Sequence, residues 1–431
     1  MTSYSERLNK VIPGGAHTYS RGDDQFPANA PQILARGKGA YVWDDKGNKF
    51  LDYGMALRAI TLGYSNDEVN RAAFAQAELG NNLTRASLIE LEAAEKLVDL
   101  IPCAEMVKFA KNGSSVTSAA VKLARAFTGR KIIARCLQQP FFSYDDWFIG
   151  DTIIKRGVPS EISESTTNFN FNDIASVEAL FNKFPNQIAA IILEPAATEE
   201  PKNNFLQDVK KLCEKNGTVF ILDEMISGFR WHLQGAHTYY NVQPDLVTFG
   251  KAMANGYSVA ALAGKKEIMD LGGIKTLGQE RVFLMSSTHG AEMSSLGAFV
   301  ASINIYERDN VISHLWSYGK KLKDGMNSIS NEFGISQFLG FDGVDCSPGY
   351  FAKDKNAQVS LELRTLFSQE MIKNGVMIPW VALSTAHTST ELDMTLEAAK
   401  KAMKVYAMAL EDGASKYLVG PAIKPVFRKV N

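Results

Sequence analysis

The middle of the chain alternates short apolar segments with longer amphipathic ones. The apolar runs are Met106–Ala110, Ile132–Cys136, Ile188–Leu193, Thr218–Leu222, Leu246–Phe249 and Val259–Ala263. Continuous apolar runs of this length are typical of strands that are buried on both faces, and the segments between them have helical spacing. The alternation predicts an α/β fold with a mostly parallel central sheet flanked by helices, in which ligands bind at the carboxyl ends of the strands.

The ends of the chain follow other patterns. Residues 39–53 alternate around Asp45-Lys46-Gly47, which predicts a hairpin of two short strands. Residues 66–80 and 87–100 have helical periodicity, and so does the long stretch 292–332.

The length of 431 residues exceeds one ordinary domain. We expect an N-terminal segment, residues 1–60, that contributes to a small domain and covers the active site. Residues 61–305 should form a large ligand-binding domain, and residues 306–431 a smaller C-terminal α+β domain.

Composition and charge exclude several classes of function. The formal net charge is −1, which gives no reason to expect nucleic acid or an anionic membrane as a partner. Six histidines and four scattered cysteines without CxxC spacing predict no metal site and buried free thiols. The N-terminus lacks the apolar segment of a secretory signal and no membrane span is visible, so we expect a cytoplasmic protein.

Three polar residues follow predicted strands directly. Glu194 and Asp223 come at the ends of two apolar runs, and Lys251 follows a third after one glycine. A lysine amine can form an imine with the aldehyde of pyridoxal phosphate, and an aspartate can keep its pyridine nitrogen protonated. From spacing alone, these side chains could equally cap helices or form a surface pair.

A polar turn precedes the alanine-rich helix predicted at 116–127. Its residues, Asn112-Gly113-Ser114-Ser115, follow a strand. Backbone N–H groups at a helix N-terminus bind phosphate, and serine hydroxyls add donors. The same pattern also occurs in ordinary capped helices.

Longer motifs resemble one family. The segment ILDEMISGFRWHLQGAHTYYNVQPDLVTFGKAMANGY, residues 221–257, combines D-E-x-x-x-G-F-R, G-A-x-x-Y-Y and P-D-L-x-x-x-G-K. This resembles the core of the class III aminotransferases, in particular their glutamate-1-semialdehyde aminomutase-like branch. Residues 12–22, 37–53, 109–130 and 284–298 are similar to further segments of that family, so the resemblance covers nearly the whole chain.

The resemblance implies a fold-type I transferase dependent on pyridoxal 5'-phosphate. It implies that Lys251 is the Schiff-base lysine and that Asp223 pairs with the ring nitrogen. By the same comparison, Gly113 and Ser114 hold the phosphate from their own subunit. Thr288 reaches it from the partner subunit, which implies a homodimer with shared sites. The remaining cofactor contacts implied are Glu194, Met225, and Phe141 or Phe142 as the stacking ring.

The chain departs from the family around residues 137–143. Leu137-Gln138-Gln139-Pro140 is unusual there, and Phe141-Phe142-Ser143 stands where the family has Y-H-G. An aromatic face is kept for stacking, but the polar contact of the histidine is lost. Met55-Ala56-Leu57-Arg58 and Glu292 also differ from the aminomutases, which predicts a changed substrate pocket.

Two arginines are candidates for binding the substrate. Arg21 resembles the family's carboxylate-binding arginine, and Arg58 occupies a position that lines the family's active site. Guanidinium groups suit bidentate carboxylate binding, although each arginine could form a structural salt bridge instead. Glu292 is a third candidate for a substrate contact.

The expected activity is transfer of an amino group between a small-molecule amine and a carbonyl substrate, with Lys251 and Asp223 as the catalytic pair. One alternative is an intramolecular aminomutase acting on glutamate-1-semialdehyde. Others are an aminotransferase for a sugar or sugar-acid precursor and a non-catalytic relative that binds the cofactor. A need for a separate amino donor distinguishes the first two.

Overall fold

A computed structural model describes residues 2–196 and 199–431. The chain forms two compact units. The first unit consists of Met1–Asn66 and Ser313–Asn431, and the second consists of Asp67–Ile312. Among the described helices, none has the length and apolar character needed to cross a bilayer.

The strands and helices are distributed over both units. The strands are β1 (Leu34–Lys38), β2 (Tyr41–Asp44), β3 (Lys49–Asp52), β4 (Met106–Ala110), β5 (Ile132–Cys136), β6 (Thr166–Phe169), β7 (Ile188–Leu193), β8 (Val219–Glu224), β9 (Leu246–Phe249), β10 (Ala260–Gly264), β11 (Leu339–Asp342), β12 (Gly349–Ala352) and β13 (Val376–Met377). The helices are α1 (Tyr4–Val11), α2 (Met55–Arg58), α3 (Asp67–Glu78), α4 (Leu88–Leu100), α5 (Gly113–Thr128), α6 (Asp146–Ile149), α7 (Ser160–Ser163), α8 (Ile174–Lys183), α9 (Phe205–Lys215), α10 (Ala236–Tyr239), α11 (Lys266–Met269), α12 (Met293–Arg308), α13 (Val311–Glu332), α14 (Leu361–Lys373) and α15 (Ser389–Asp412).

The second unit contains the predicted sheet. In the described chain its strand order is β4-β10-β9-β8-β7-β5-β6. Strands β6, β5, β7, β8 and β9 run parallel to one another, whereas β10 is antiparallel to both β4 and β9. Every residue of β7, β8, β9 and β10 is buried, as their apolar sequences require. The predicted mostly parallel α/β architecture is confirmed.

The first unit contains a second, smaller sheet. Its order is β1-β2-β3-β13, and the predicted hairpin is its antiparallel pair β2 and β3. Strand β13, which comes from the C-terminal part of the chain, pairs with β3 in parallel. Val42, Ile372 and Met377 form a buried cluster that joins the two chain segments, with Phe26 and Phe50 packed against it.

Candidate active site

The carboxyl ends of β8 and β9 place two of the predicted residues near each other. Asp223 is opposite Thr248 in the register of these parallel strands, and the Thr248 hydroxyl donates a 2.9 Å hydrogen bond to the Asp223 carboxylate. Lys251 begins a 3-10 turn after β9 and has a left-handed backbone with φ of 43°. A positive φ is unfavourable for lysine and is typical of functional positions.

Asp223 is a buried carboxylate with a perturbed acidity. Burial raises its pKa to about 6, against the opposing effects of the Met225 backbone N–H, the charge of Lys251 and the Thr248 hydroxyl. The Met225 N–H donates to the same carboxylate oxygen at 3.0 Å. Because a charged carboxylate is costly in such surroundings, Asp223 is suited to pairing with a cation at the strand ends.

The Met225 side chain contacts the predicted phosphate turn and the segment before Lys251. A Cβ atom added to Gly113 would lie 2.8 Å from the Met225 sulfur, and one added to Gly250 would lie 2.6 Å from it. A side chain at either position would therefore require the Met225 side chain to shift. Met225 thus brings the N-terminus of α5 and the strand ends together.

The N-terminus of α5 has the features of an anion site. Asn112 caps the helix by accepting the Ser115 N–H at 3.0 Å. The hydroxyl oxygen of buried Ser114 accepts the Tyr144 N–H at 3.1 Å, so its own proton can point to a ligand. The first N–H groups of a sixteen-residue helix add a favourable dipole for a phosphate.

The two neighbouring phenylalanines have different surroundings. Phe141 is 49% exposed, whereas Phe142 is 2% exposed. Both rings make edge contacts with Phe148, with centroids 5.8 Å apart in each case. The Phe142 carbonyl also accepts the Thr117 hydroxyl at 2.8 Å. The exposed face of Phe141 is therefore better placed to stack on a ligand.

The unusual segment at 137–140 has a structural role that the sequence did not indicate. The Gln139 side chain donates to the Glu194 carbonyl at 2.9 Å and accepts the Glu194 N–H at 2.8 Å. This paired contact fixes the backbone of Glu194 at the end of β7, next to β8. Glu194 is buried at the same sheet edge as Asp223.

Thr288 and Glu292, the two remaining candidate residues of the second unit, lie in the loop before α12. Thr288 is exposed, and its carbonyl accepts the Asn82 side chain at 2.9 Å. Glu292 pairs with Lys111 and accepts the Asn81 amide at 3.0 Å. The hydrogen bond from Lys111 holds the pKa of Glu292 below its usual range. Glu292 thus has a structural ion pair.

The two candidate arginines belong to the first unit. Arg21 ends an exposed 3-10 turn, and Arg58 ends α2, which is a left-handed turn with φ values from 41° at Met55 to 68° at Arg58. Asp52 holds this turn by accepting the Met55 N–H at 3.0 Å and the Tyr64 hydroxyl at 2.7 Å. Tyr64 in turn accepts the Ala56 N–H at 2.9 Å.

A buried chain of polar side chains begins at Glu224, the residue after Asp223. The Glu224 carboxylate accepts His237 Nδ1 at 2.6 Å, and His237 Nε2 lies 3.5 Å from Cys103 Sγ. Burial disfavours the charged imidazole, but the hydrogen bonds to Cys103 and Glu224 outweigh it and raise the pKa of His237 to about 10. These hydrogen bonds therefore favour the protonated form of the His237 imidazole. Cys103, Glu224 and His237 are too far apart in sequence for a periodic pattern to connect all three.

Comparison with known proteins agrees with this arrangement. The family profile described as aminotransferase class-III matches residues 23–404. The chain belongs to the class III aminotransferases. It is 32% identical over 411 residues to the 3-aminobutyryl-CoA aminotransferase of Cloacimonas acidaminovorans, covering 93% of this chain and 96% of that one. It is 30% identical to the glutamate-1-semialdehyde 2,1-aminomutase of Francisella philomiragia, covering 91% and 95%.

Solved structures show the same fold. The FumI protein of Sphingopyxis sp. MTA144, in its PLP internal aldimine form, superimposes with a TM-score of 0.86 at 27% identity, over 95% of this chain and 97% of that one. An omega-transaminase from Sphaerobacter thermophilus gives a TM-score of 0.83 at 24% identity, covering 94% and 97%. The predicted fold-type I class is confirmed.

The enzyme uses pyridoxal phosphate, and its activity is that of an aminotransferase or an aminomutase. The residues described above fit this cofactor. Asp223 is a buried carboxylate that a ring nitrogen would compensate, and Lys251 is close enough to lower its pKa. The N-terminus of α5 offers N–H donors for a phosphate.

Proposed function

We propose that the enzyme transfers an amino group between separate donor and acceptor molecules, with Lys251 as the Schiff-base lysine and Asp223 as the partner of the ring nitrogen. The observation that supports this most strongly is the buried Asp223 carboxylate, fixed by Thr248 and Met225 beside Lys251. An intramolecular aminomutase would use the same groups, so the need for a donor is what distinguishes the two activities.

The cofactor-binding residues divide between phosphate and ring. Gly113 and Ser114 would donate to the phosphate from the N-terminus of α5, while Met225 and Phe141 would cover the two ring faces. Glu194, buried at the adjacent strand end, would border the ring. Phe142 supports Phe141 through their shared contact with Phe148. When bound, pyridoxal phosphate supplies an electron sink for the carbanion at the substrate's Cα.

Lys251 would then act as the general base and acid. Once a substrate amine displaces it, its Nζ accepts the proton that leaves the substrate's Cα and later returns a proton. The left-handed backbone of Lys251 fixes the origin of the side chain at the strand end. Asp223 keeps its charge by pairing with the protonated ring nitrogen.

On the substrate side, we assign the carboxylate contact to Arg21, with Arg58 as a second contact. The Lys111 pair makes Glu292 a residue that fixes the loop and only secondarily one that contacts substrate. The named activities of the relatives, on 3-aminobutyryl-CoA and glutamate-1-semialdehyde, support an amine-bearing substrate with an acidic or acyl group.

We also propose a cytoplasmic homodimer in which Thr288 completes the phosphate site of the partner subunit. The exposure of Thr288, in a loop whose backbone is held by Asn82, supports this assignment. The buried free thiols of the four cysteines agree with a reducing compartment.

The test uses the loaded enzyme and its Lys251→Ala variant, with Lys211→Ala as a surface control. A panel of amines is added without acceptor, and conversion of the cofactor to its amine form is followed by absorbance. We expect conversion by the parent and the control alone. If the enzyme instead converts an amino aldehyde without a separate amino donor and without releasing an amine, it is an aminomutase.

A further inference from the structure

Tyr144, which no sequence motif singles out, contacts the N-terminus of α5. Tyr144 is 58% exposed, whereas Ser143 before it is fully buried and Trp147 after it is 6% exposed. A large ring left in solvent between buried neighbours contributes little to the hydrophobic core. The position of this ring at the proposed phosphate site is therefore better explained by a ligand than by packing.

Two hydrogen bonds join Tyr144 to the start of α5. Its backbone N–H donates to the Ser114 hydroxyl oxygen at 3.1 Å, and its own hydroxyl donates to Asn112 Oδ1 at 3.4 Å. Ser114 is the second residue of the helix, and Asn112 is its N-cap. Tyr144 thus orients a serine of the phosphate site and places a second hydroxyl beside the same helix end.

The bond between the Tyr144 hydroxyl and Asn112 is weak. Its length of 3.4 Å exceeds the roughly 3.0 Å that O–H···O bonds usually reach. Asn112 Oδ1 already accepts the Ser115 N–H at 3.0 Å and the Ser115 hydroxyl at 3.1 Å. Because a carbonyl oxygen has two lone pairs, the third and most distant donor is the least favourable. The phenolic proton can therefore turn to an anion at the helix end with little loss.

The backbone on both sides of Tyr144 is fixed against α5. The Ser143 hydroxyl lies 3.1 Å from the Ser118 hydroxyl, and the Asp145 N–H donates to the Ser143 hydroxyl oxygen at 3.0 Å. Trp147 Nε1 also donates to the Ser118 hydroxyl oxygen, at 2.8 Å. Because these contacts already order the segment, little conformational freedom is lost when the Tyr144 hydroxyl binds a ligand.

We propose that the Tyr144 hydroxyl donates a hydrogen bond to the phosphate group of the cofactor. The inference rests on the proposed function, because it takes the N-terminus of α5 as the phosphate site. Tyr144 adds a second hydroxyl donor to that of Ser114, from the segment in which the Y-H-G residues of the family are replaced. A hydroxyl that donates to a charged phosphate oxygen forms a stronger bond than one that donates to a neutral amide.

Cofactor titrations measure this contact without relying on turnover. Full-length apoenzyme is titrated with pyridoxal 5'-phosphate and with pyridoxal, and binding is followed by absorbance. The ratio of the two affinities reports the phosphate contacts, because the ring and the aldehyde are common to both ligands. For Tyr144→Phe we expect this ratio to fall about ten- to hundredfold, which is the usual effect of losing a hydrogen bond to a charged group.

Tyr239→Phe is the matched control. Tyr239 is 46% exposed on α10 and lies outside the groups assigned to the cofactor. This variant should keep the affinity ratio of the parent. In the holoenzymes, the phosphorus NMR signal of the bound cofactor should shift in Tyr144→Phe and stay at the parent position in Tyr239→Phe. Denaturant unfolding verifies that both variants fold as the parent does.

Two results would overturn the inference. One is an affinity ratio in folded Tyr144→Phe that equals the ratio of the parent. The other is an equal loss of affinity for pyridoxal 5'-phosphate and for pyridoxal, because the hydroxyl would then act on the ring or only on the Asn112 cap.

The two proposals can fail separately, because borohydride trapping of the cofactor on Lys251 does not require the Tyr144 hydroxyl. Trapping at Lys251 in the parent, together with an unchanged affinity ratio in Tyr144→Phe, would refute the tyrosine contact and leave the proposed function intact. Trapping at another lysine would contradict the proposed function. A lower ratio in Tyr144→Phe would even then identify a hydroxyl that binds the phosphate.

Discussion

The strand ends of β8 and β9 and the left-handed turn α2 both hold unusual conformations, but by different means. At the strand ends, register alone brings Asp223 opposite Thr248, and the site follows from neighbouring parallel strands. At α2, a side chain from β3 and the Tyr64 hydroxyl hold four left-handed residues. The first arrangement depends on the sheet as a whole, whereas the second depends on a few hydrogen bonds. Loss of the Asp223 carboxylate should therefore affect chemistry more than folding, whereas loss of the Asp52 carboxylate should affect stability.

The largest effect is expected for Asp223→Asn. An amide cannot provide the negative charge that keeps the ring nitrogen protonated, so turnover should fall by about 10²–10⁴-fold with little change in folding. Steady-state kinetics with saturating cofactor measure this loss. Asp208→Asn, on the exposed side of α9, is the matched control. Wild-type turnover by Asp223→Asn would show that the strand-end carboxylate has no chemical role.

The buried pair of Glu224 and His237 should make the free energy of unfolding depend on pH. The pKa of His237 is raised from 6.5 to about 10. The stabilisation of the folded state by the protonated imidazole is therefore fully present below pH 6.5 and is lost as the pH rises through 10. His237→Gln should cost on the order of 3 kcal/mol near neutral pH, because the buried Glu224 carboxylate loses its hydrogen bond to the imidazole.

Chemical unfolding of the apoprotein between pH 6 and 10 measures this difference. The parent should lose stability relative to His237→Gln as the pH rises. If the unfolding free energies of the two proteins change in parallel with pH, His237 is not charged in the folded state.

The turn α2 should be sensitive to Asp52→Asn. The carboxylate accepts from two backbone N–H groups and a hydroxyl, and an amide nitrogen facing any of these donors would lose a buried hydrogen bond. We expect a loss of about 2 kcal/mol in unfolding free energy. Cofactor affinity, measured by absorbance titration, should change little by comparison. A large loss of cofactor affinity at unchanged unfolding free energy would show that Asp52 serves the cofactor site and not the stability of the turn.

The smallest effect is expected for Thr248→Val. Removing this hydroxyl takes one donor from Asp223, which should raise the pKa of Asp223 above its present value. The acidic limb of the activity profile should move to higher pH, and stability should fall by about 1 kcal/mol. A pH–rate profile of the variant beside the parent checks the direction.

Most strands of the second unit could be predicted because burial on both faces leaves continuous apolar runs. Strand β6 was missed, since it lies at the edge of the sheet and has the polar sequence Thr166–Phe169. The antiparallel direction of β10 was also missed. Only a 3-10 turn and a short loop join it to β9, which is too little chain for the crossover that a parallel strand requires.

The site itself was predictable in part. Spacing placed Asp223 and Lys251 at neighbouring strand ends, and only the family motifs made them candidates for the cofactor. Thr248 could have been found as the residue opposite Asp223 in a parallel register. The contact between Cys103 and His237 spans 134 residues, so no local pattern indicates it. The first unit likewise joins both ends of the chain, through pairs such as Asp24 with Arg428.

The central claim is that Lys251 is the residue that links covalently to the cofactor. Borohydride reduction of the loaded enzyme fixes this link, and peptide mapping by mass spectrometry locates it. The account predicts the mass of the reduced cofactor on the peptide that contains Lys251 and on no other lysine. A modified peptide elsewhere in the chain, with Lys251 unmodified, would contradict the account.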